Sequence, residues 1–540
     1  MLRRIHRRFT VAFRSWVWAG GVAVMAGCST PAEEVLVEQE ELAETAPEVP
    51  LANPEAVLVP PSGDAWLVPL TMAVPVLELP RKGASRVGYL RAGERVSRSI
   101  EPVSFEDCPA GWYSVRPVGF VCAENDATTD LEHPVARAIQ VPPNREQPLP
   151  YAYGFLRAVA PNYLRIPTKK EQFHREMRLA RHLRNHKRLS YKWDALKAGA
   201  NEVPLSAEGL ATGGVPQDYE PPSMNVRFGG DGGEEVPWWL EEGTRQIPNL
   251  STFRTPSYAM MAGRIKRHAG VALIGSFVGD KEAGGRRFAI STDARIIPAD
   301  KIKADTGSPF HGVSIREVGL PVAFARKAGA TWWSVSGGNV KRAEKVGWRE
   351  FAPLSGKVKK IRGVKMVEAK DGRWLRSKDV KTASKPNSLP WFATGKRRWI
   401  RVSILSQTLT LWEGSTPVYA TLISSGRDGM GDPKTTLSTP QGTFRIYQKH
   451  VTTTMDSDVA DSEFELRDVP WVMYFKDGYA IHAAYWHDDF GRPRSHGCIN
   501  LSPIDARQVF NWSLPDVPQD WHGSYAGEAF GKGTIIHIVP

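Results

Sequence analysis

The chain has 540 residues, 41% hydrophobic and 10% aromatic, and carries a formal net charge of +12 at pH 7. Its length excludes one ordinary domain and its apolar content excludes a wholly disordered chain, so two to four domains with separate cores are expected. The positive balance calls for an anionic partner, and nucleic acid, acidic lipid or a carboxylate-bearing polymer qualify until location decides.

In chain order, Arg3, Arg4, Arg7, Arg8 and Arg14 precede an apolar run from Trp16 to Ala26. That run is shorter than the roughly 20 apolar residues a membrane-spanning helix needs, so residues 1–27 read as an export signal peptide. Met25-Ala26-Gly27-Cys28 resembles the bacterial lipoprotein cleavage box, which implies a lipid on Cys28 and attachment to a membrane, with ordinary signal cleavage as the alternative. Ser29 stands where lipoproteins kept at the inner membrane often carry Asp, which points to the outer membrane facing the periplasm. Export removes nucleic acid from the expected partners. Residues 28–61, rich in Glu, Ala and Pro without periodicity, read as a solvated tether.

Residues 62–130 hold short apolar runs between Gly, Pro and Ser turns, as expected of small β units. Gly111 to Val115 followed by Gly119 to Cys122 resembles the end of a bacterial Src-homology-type small β-barrel, a module type that often binds cell wall. Setting Cys28 aside leaves Cys108, Cys122 and Cys498. A disulfide between Cys108 and Cys122 and one reactive thiol is the favoured accounting, against two free buried thiols.

Residues 131–236 form a basic helix and loop region. Phe173, Met177, Ala180 and Leu183 recur at spacings of three and four, predicting one amphipathic helix over Lys169–Leu189 with those residues buried. Gly213 to Pro237 reads as a loop. The middle region, 237–390, is predicted to be β-rich. Within it Phe288 to Arg295 resembles Met366 to Arg373, suggesting a duplicated small β unit whose alignment needs a one-residue gap. Pro386 to Gly395 serves as a hinge into the domain 398–540.

That last domain is predicted to be mainly β, the whole chain being a mainly β multidomain protein. Lys476-Asp477-Gly478 between apolar runs marks a hairpin, which puts His482 on a strand. Ser502, Pro503 and Asp505 predict a short helix start just after Cys498, near whose positive end the thiol lies. Ile481-His482-Ala483 and Arg494-Ser495-His496-Gly497-Cys498-Ile499-Asn500 resemble the signature of the L,D-transpeptidase catalytic domain family of the YkuD type. Ser424-Ser425-Gly426 and Thr439 to Phe444 resemble two further segments of that family.

The resemblance implies a β-rich catalytic domain over 398–540 in which Cys498 is the nucleophile and His482 its base. A free thiol is only a few per cent thiolate at neutral pH, which is why an imidazole is needed beside it. The carbonyl of Ala483 would orient the ring, the amides of Gly497 and Cys498 would form an oxyanion hole, and His496 would shape the site. Asn500, Ser495, Tyr474, Trp486 and Arg494 are candidate substrate contacts. The substrate implied is a peptidoglycan stem peptide, joined through a thioester to a second stem or a protein lysine, or released to water as a carboxypeptidase would. The resemblance also implies acylation of Cys498 by carbapenems. No cofactor or metal is expected, although His482, His487, Asp488, His496 and Cys498 are zinc-ligand types in one short span. The rivals are a cysteine endopeptidase, in which the nucleophile precedes its His, and a noncatalytic wall-binding lipoprotein.

Overall fold

The computed structural model describes residues 65–194, 235–251, 256, 258–327, 329–337, 339–457 and 464–540. The signal, the Cys28 box, the acidic tether and residues 213–234 lie outside them. Among the described residues no helix is long and apolar enough to cross a membrane.

The N-terminal module holds strands β1 (Trp66–Pro69), β2 (Val74–Leu77), β3 (Arg86–Leu90), β4 (Val96–Ser97), β5 (Trp112–Ser114), β6 (Phe120–Cys122) and β7 (Ala127–Thr128). They pair in the orders β4-β1-β7 and β3-β2-β6-β5 around Leu67, Val76, Leu90, Val115 and Val121. A disulfide joins Cys108 and Cys122 beside Trp112 and Phe120.

The next strands are β8 (Ala152–Leu156), β9 (Ala160–Tyr163), β10 (Met261–Ile265), β11 (Gly270–Val278), β12 (Arg287–Ser291), β13 (Ile296–Pro298) and β14 (Ile302–Asp305). Here β8 pairs with β11 and β14, β9 with β10 and β13, and β12 with β11 and β13. After β15 (Val313–Ser314) come β16 (Val322–Ala325), β17 (Thr331–Ser336), β18 (Asn339–Lys345), β19 (Phe351–Ile361), β20 (Val364–Ala369), β21 (Trp374–Arg376) and β22 (Val380–Ala383). The scheme repeats: β16 pairs with β19 and β22, β17 with β18 and β21, and β20 with β19 and β21.

The repeated pairing therefore extends the likeness over seven strands, and from Phe288–Lys301 to Met366–Asp379 it needs no gap. Positive φ falls at Ala294 (55°) and at Gly372 (85°) in equivalent turns, closed by Ala294 N to Ser291 O at 2.8 Å and Gly372 N to Ala369 O at 3.0 Å. The 3₁₀ turns Ala299–Lys301 and Ser377–Asp379 follow in step, and each accepts an N–H from the residue after its first strand, Arg157 on Lys301 O and Arg326 on Asp379 O. Only the Asp residues inside the two turns are out of step, which is what the one-residue gap tried to repair.

The pairing also corrects the boundaries at 131–236 and 237–390, because β8 and β9 belong to the first copy and the helical region is an insertion between β9 and β10. The predicted single helix is two, α1 (Lys169–Arg175) and α2 (Leu179–Asp194), broken where Arg178 takes φ 57°. Its expected buried stripe is instead exposed at Phe173 and at Met177, which is 86% exposed, while Gln172, Glu176 and Leu179 are buried. Glu176 decides this: it accepts from Arg286, Lys301 and the Tyr163 hydroxyl, and a buried carboxylate needs such partners far more than Met177 needs cover.

The C-terminal domain is two sheets, β15-β25-β24-β23-β32-β26 and β31-β27-β28-β29-β30. Its strands are β23 (Arg398–Ser403), β24 (Thr408–Glu413), β25 (Thr416–Leu422), β26 (Gly442–Arg445), β27 (Gln448–Ser457), β28 (Phe464–Lys476), β29 (Tyr479–Ala483), β30 (Ile499–Leu501), β31 (Gly523–Tyr525) and β32 (Ile535–Val539). Helix α3 (Pro503–Trp512) packs on β28 and β29, and Ile400, Leu411, Trp471, Ile481, Ile499 and Phe510 form the shared core. The β27–β28 hairpin is flanked on both sides. Through β31 it joins β3, where a Cβ on Gly88 would lie 2.4 Å from Gly523 O, and β28 meets β11 at Gly270 and Leu466.

Candidate active site

Strands β29 and β30 run parallel, Ile481 opposite Ile499 and His482 opposite Asn500. Because side chains alternate along a strand, burying Ile481 and Ile499 in the core turns His482, and Cys498 just before β30, to the other face. There Cys498 packs against a small apolar cluster of Val469, Val472 and Ala480, on which Tyr474, Trp486, Met455 and Leu466 also pack.

The His482 Nδ1 donates to the carbonyl of Ala483 at 3.0 Å. A carbonyl only accepts, so in the neutral ring the lone pair is on Nε2, the form a base requires. Trp486 stacks on the imidazole at 5.6 Å and 28°. Burial depresses the ring to about 4, so it stays neutral at ordinary pH. Burial also pushes the Cys498 thiol up to about 11, against a smaller lowering from the Ala480 backbone. Its Sγ lies 3.9 Å from Gly478 O, and among the described residues no hydrogen bond joins it to His482. The resting pair is thus an uncharged thiol and an uncharged imidazole.

The turn that presents Cys498 revises several expectations. The Ser495 hydroxyl donates to Cys498 O and accepts from Gly497 N at 3.1 Å. Ser495 is consequently a brace of the turn rather than a substrate contact, and the Gly497 amide is already occupied, leaving only the Cys498 amide of the two expected oxyanion donors. Gly497 is required for another reason: its φ is +126° and a Cβ would come 2.5 Å from the Tyr479 ring. Its carbonyl accepts from Thr439 at 2.8 Å, and Thr439 accepts in turn from Gly426 N at 2.9 Å. Thr439 is therefore a supporting residue that lay unremarked within one of the upstream likenesses.

Asn500 is buried at 2% exposure, with its side-chain amide 3.0 Å from His487 Nε2, which corrects its reading as a substrate contact. Tyr474 and Trp486 pack against the same small apolar cluster as Cys498. His496 and Arg494 are exposed, the latter paired with Asp489. The metal-ligand types are otherwise engaged: His487 meets Asn500 and the Asp489 N–H, and Asp488 is held by Arg349 and Ser308. Among the described residues the only cluster of ligand types is Cys108, Cys122 and Glu124, two of which form the disulfide.

Arg349, from the second copy of the duplicated unit, was not anticipated. It is 6% exposed and its guanidinium meets both the carboxylate and the carbonyl of Asp488. The rings of Trp348, Phe310 and Phe490 flank it at 4.8, 5.1 and 5.5 Å. It thereby clamps the loop between base and nucleophile from 139 residues upstream.

Comparison with known proteins addresses the same segment. Residues 397–538 match the L,D-transpeptidase catalytic domain. The Bacillus subtilis (strain 168) protein YciB, whose name assigns it provisionally to the L,D-transpeptidases, is 28% identical over 150 residues, covering 23% of this chain. The chain spans 63% of that relative's length. Solved structures with similarity include the catalytic domain of the Enterococcus faecium L,D-transpeptidase, 22% identical over 27% of this chain and 98% of that one, TM-score 0.20. L,D-transpeptidase 3 of Mycobacterium tuberculosis with a faropenem-derived adduct is 20% identical over 35% of this chain and 79% of that one, TM-score 0.21. The L,D-transpeptidase-like domain of this chain is thus its C-terminal quarter.

Proposed function

We propose that the L,D-transpeptidase-like domain transfers peptidoglycan stem peptides through a thioester on Cys498. The observation that carries this reading is the half-buried thiol on the same face as an imidazole whose free Nε2 is fixed by the Ala483 carbonyl, within the segment that matches the catalytic domain.

In the reaction, Cys498 passes its proton to His482 Nε2 and attacks the carbonyl joining the third and fourth residues of a tetrapeptide stem. The Cys498 amide faces the developing oxyanion, and His482 returns the proton to the departing D-residue amine. An amine then attacks the thioester, giving its proton to His482 and restoring the thiol. A side-chain amine of a second stem yields a 3,3 cross-link, a protein lysine yields wall attachment, and water yields a carboxypeptidase. The export signal and the Cys28 box support placing this chemistry in the envelope, on a lipid anchor facing the periplasm. Muropeptides incubated with the chain, beside the Cys498→Ala variant, test it by mass spectrometry: 3,3-linked dimers confined to the unaltered chain are expected, and products from the variant contradict it.

A further inference from the structure

Helices α1 and α2 have no counterpart in the second copy of the duplicated unit, where β17 and β18 join directly with Ser336 opposite Asn339. The fold therefore closes without them, and an insertion that the core does not require calls for another use. Its inner face is fixed. Gln172 donates to Pro167 O and Ala283 O, Glu176 lies among Arg286, Lys301 and Tyr163, and Leu179 is buried. The outer face cannot turn inward without breaking these contacts.

On that outer face every exposed charged residue from Lys169 to Arg188 is Lys or Arg. The two carboxylates of this stretch are engaged, Glu171 with Arg165 and Glu176 with Arg286 and Lys301. Arg181, Arg184 and Arg188 recur at spacings of three and four, which aligns them along one side of α2. The exposed Arg264 on β10 extends the patch, donating to Arg175 O at 3.2 Å. Apolar side chains stand among these cations rather than beneath them: Met177 is 86% exposed, Phe173 48% and Tyr258 87%. Between Phe173 and Tyr258 lies a cleft of about 980 Å³, lined also by Lys170, Arg175, Met260 and Met261.

We infer that this surface docks on a bilayer of anionic phospholipid, with the cations against headgroup phosphates and Phe173, Met177 and Tyr258 among the upper acyl carbons. A hydrated acidic polymer would meet the cations equally well but would leave the apolar side chains in water. The Cys28 box points to the same kind of surface. The inference is independent of the transpeptidase reading, because none of these residues belongs to the candidate active site.

Vesicle flotation tests it on the chain from Ser29 onward, since residues 1–28 lie outside the compact unit Val57–Pro540 and an export signal would itself enter a bilayer. At about 0.1 M salt the chain is expected to float with vesicles of phosphatidylglycerol and phosphatidylcholine in equal parts, not with phosphatidylcholine alone, and to be released by about 0.5 M. This lipid dependence is read on the unaltered chain, so it decides the matter whether or not a variant folds. The triple variant Arg181→Glu, Arg184→Glu, Arg188→Glu is expected to bind at least about tenfold more weakly. Phe173→Ser with Met177→Ser is expected to cost about tenfold as well. Equal binding by the triple variant and the unaltered chain overturns the inference, as does equal flotation on phosphatidylcholine alone. Weakening by the arginine changes with none from Phe173 and Met177 also overturns it, and assigns the surface to a soluble polyanion.

Discussion

The chemistry of His482 and Cys498 begins from neutral groups, because burial opposes charge on both. A thiol held at about 11 predicts that alkylation of Cys498 by iodoacetamide accelerates throughout pH 6 to 9. A plateau across that interval would reveal a resting thiolate–imidazolium pair instead. The contact of the His482 ring with the Ala483 carbonyl was legible in the sequence because its partners are neighbours along the chain. Ser495 and Asn500 were misjudged because their partners, Cys498 O and His487, are set by how the turn closes. A hydroxyl within three residues of a nucleophile reads equally well as ligand or brace.

Among the elements, the loop from His487 to Arg494 depends on a side chain that no local pattern announces. Replacing Arg349 with Met removes its contacts to Asp488 while keeping bulk among Phe310, Trp348 and Phe490. A loss of about 2 kcal/mol in unfolding free energy is expected, since Asp488 keeps partial hydration through its exposed side. Turnover is expected to fall more than peptide affinity, because Trp486 at the start of this loop orients the His482 ring. Unchanged denaturation midpoint and turnover would remove Arg349 from the account. The helical insertion shows the opposite limit of sequence reading. The apolar spacing of Phe173 and Met177 was real, but the carboxylate of Glu176 had partners waiting on β9, in the turn before β12 and in the 3₁₀ turn after β13, and burying it set the face of the helix.

For the whole molecule, the mainly β architecture followed from short runs and turn residues, whereas the extent of duplication did not, because the copies share turn geometry and pairing more than residue types. Among the described residues the N-terminal module, the duplicated unit and the C-terminal sheets belong to one compact unit, and three neutral histidines are buried in it. His450, His482 and His487 are held by burial at about 3, 4 and 3, below the 6.5 of a free imidazole. Between those values the unfolded chain binds protons that the folded chain does not, so their contribution is complete above pH 6.5 and is lost as pH falls. Each costs about 2 kcal/mol between pH 7 and pH 5. The urea midpoint should drop over that range, and substituting His450 by Gln should flatten the drop; a midpoint constant from pH 7 to 5 would contradict the neutral-histidine assignment.

The central claim is an acyl group on Cys498. Rapid-quench intact-mass spectrometry of the full chain mixed with a tetrapeptide stem tests it most directly, with peptide mapping to locate the adduct. A tripeptidyl adduct on Cys498, formed far more slowly in His482→Ala and absent in Cys498→Ala, is the predicted result. An adduct on another residue, or turnover by Cys498→Ala, would contradict it.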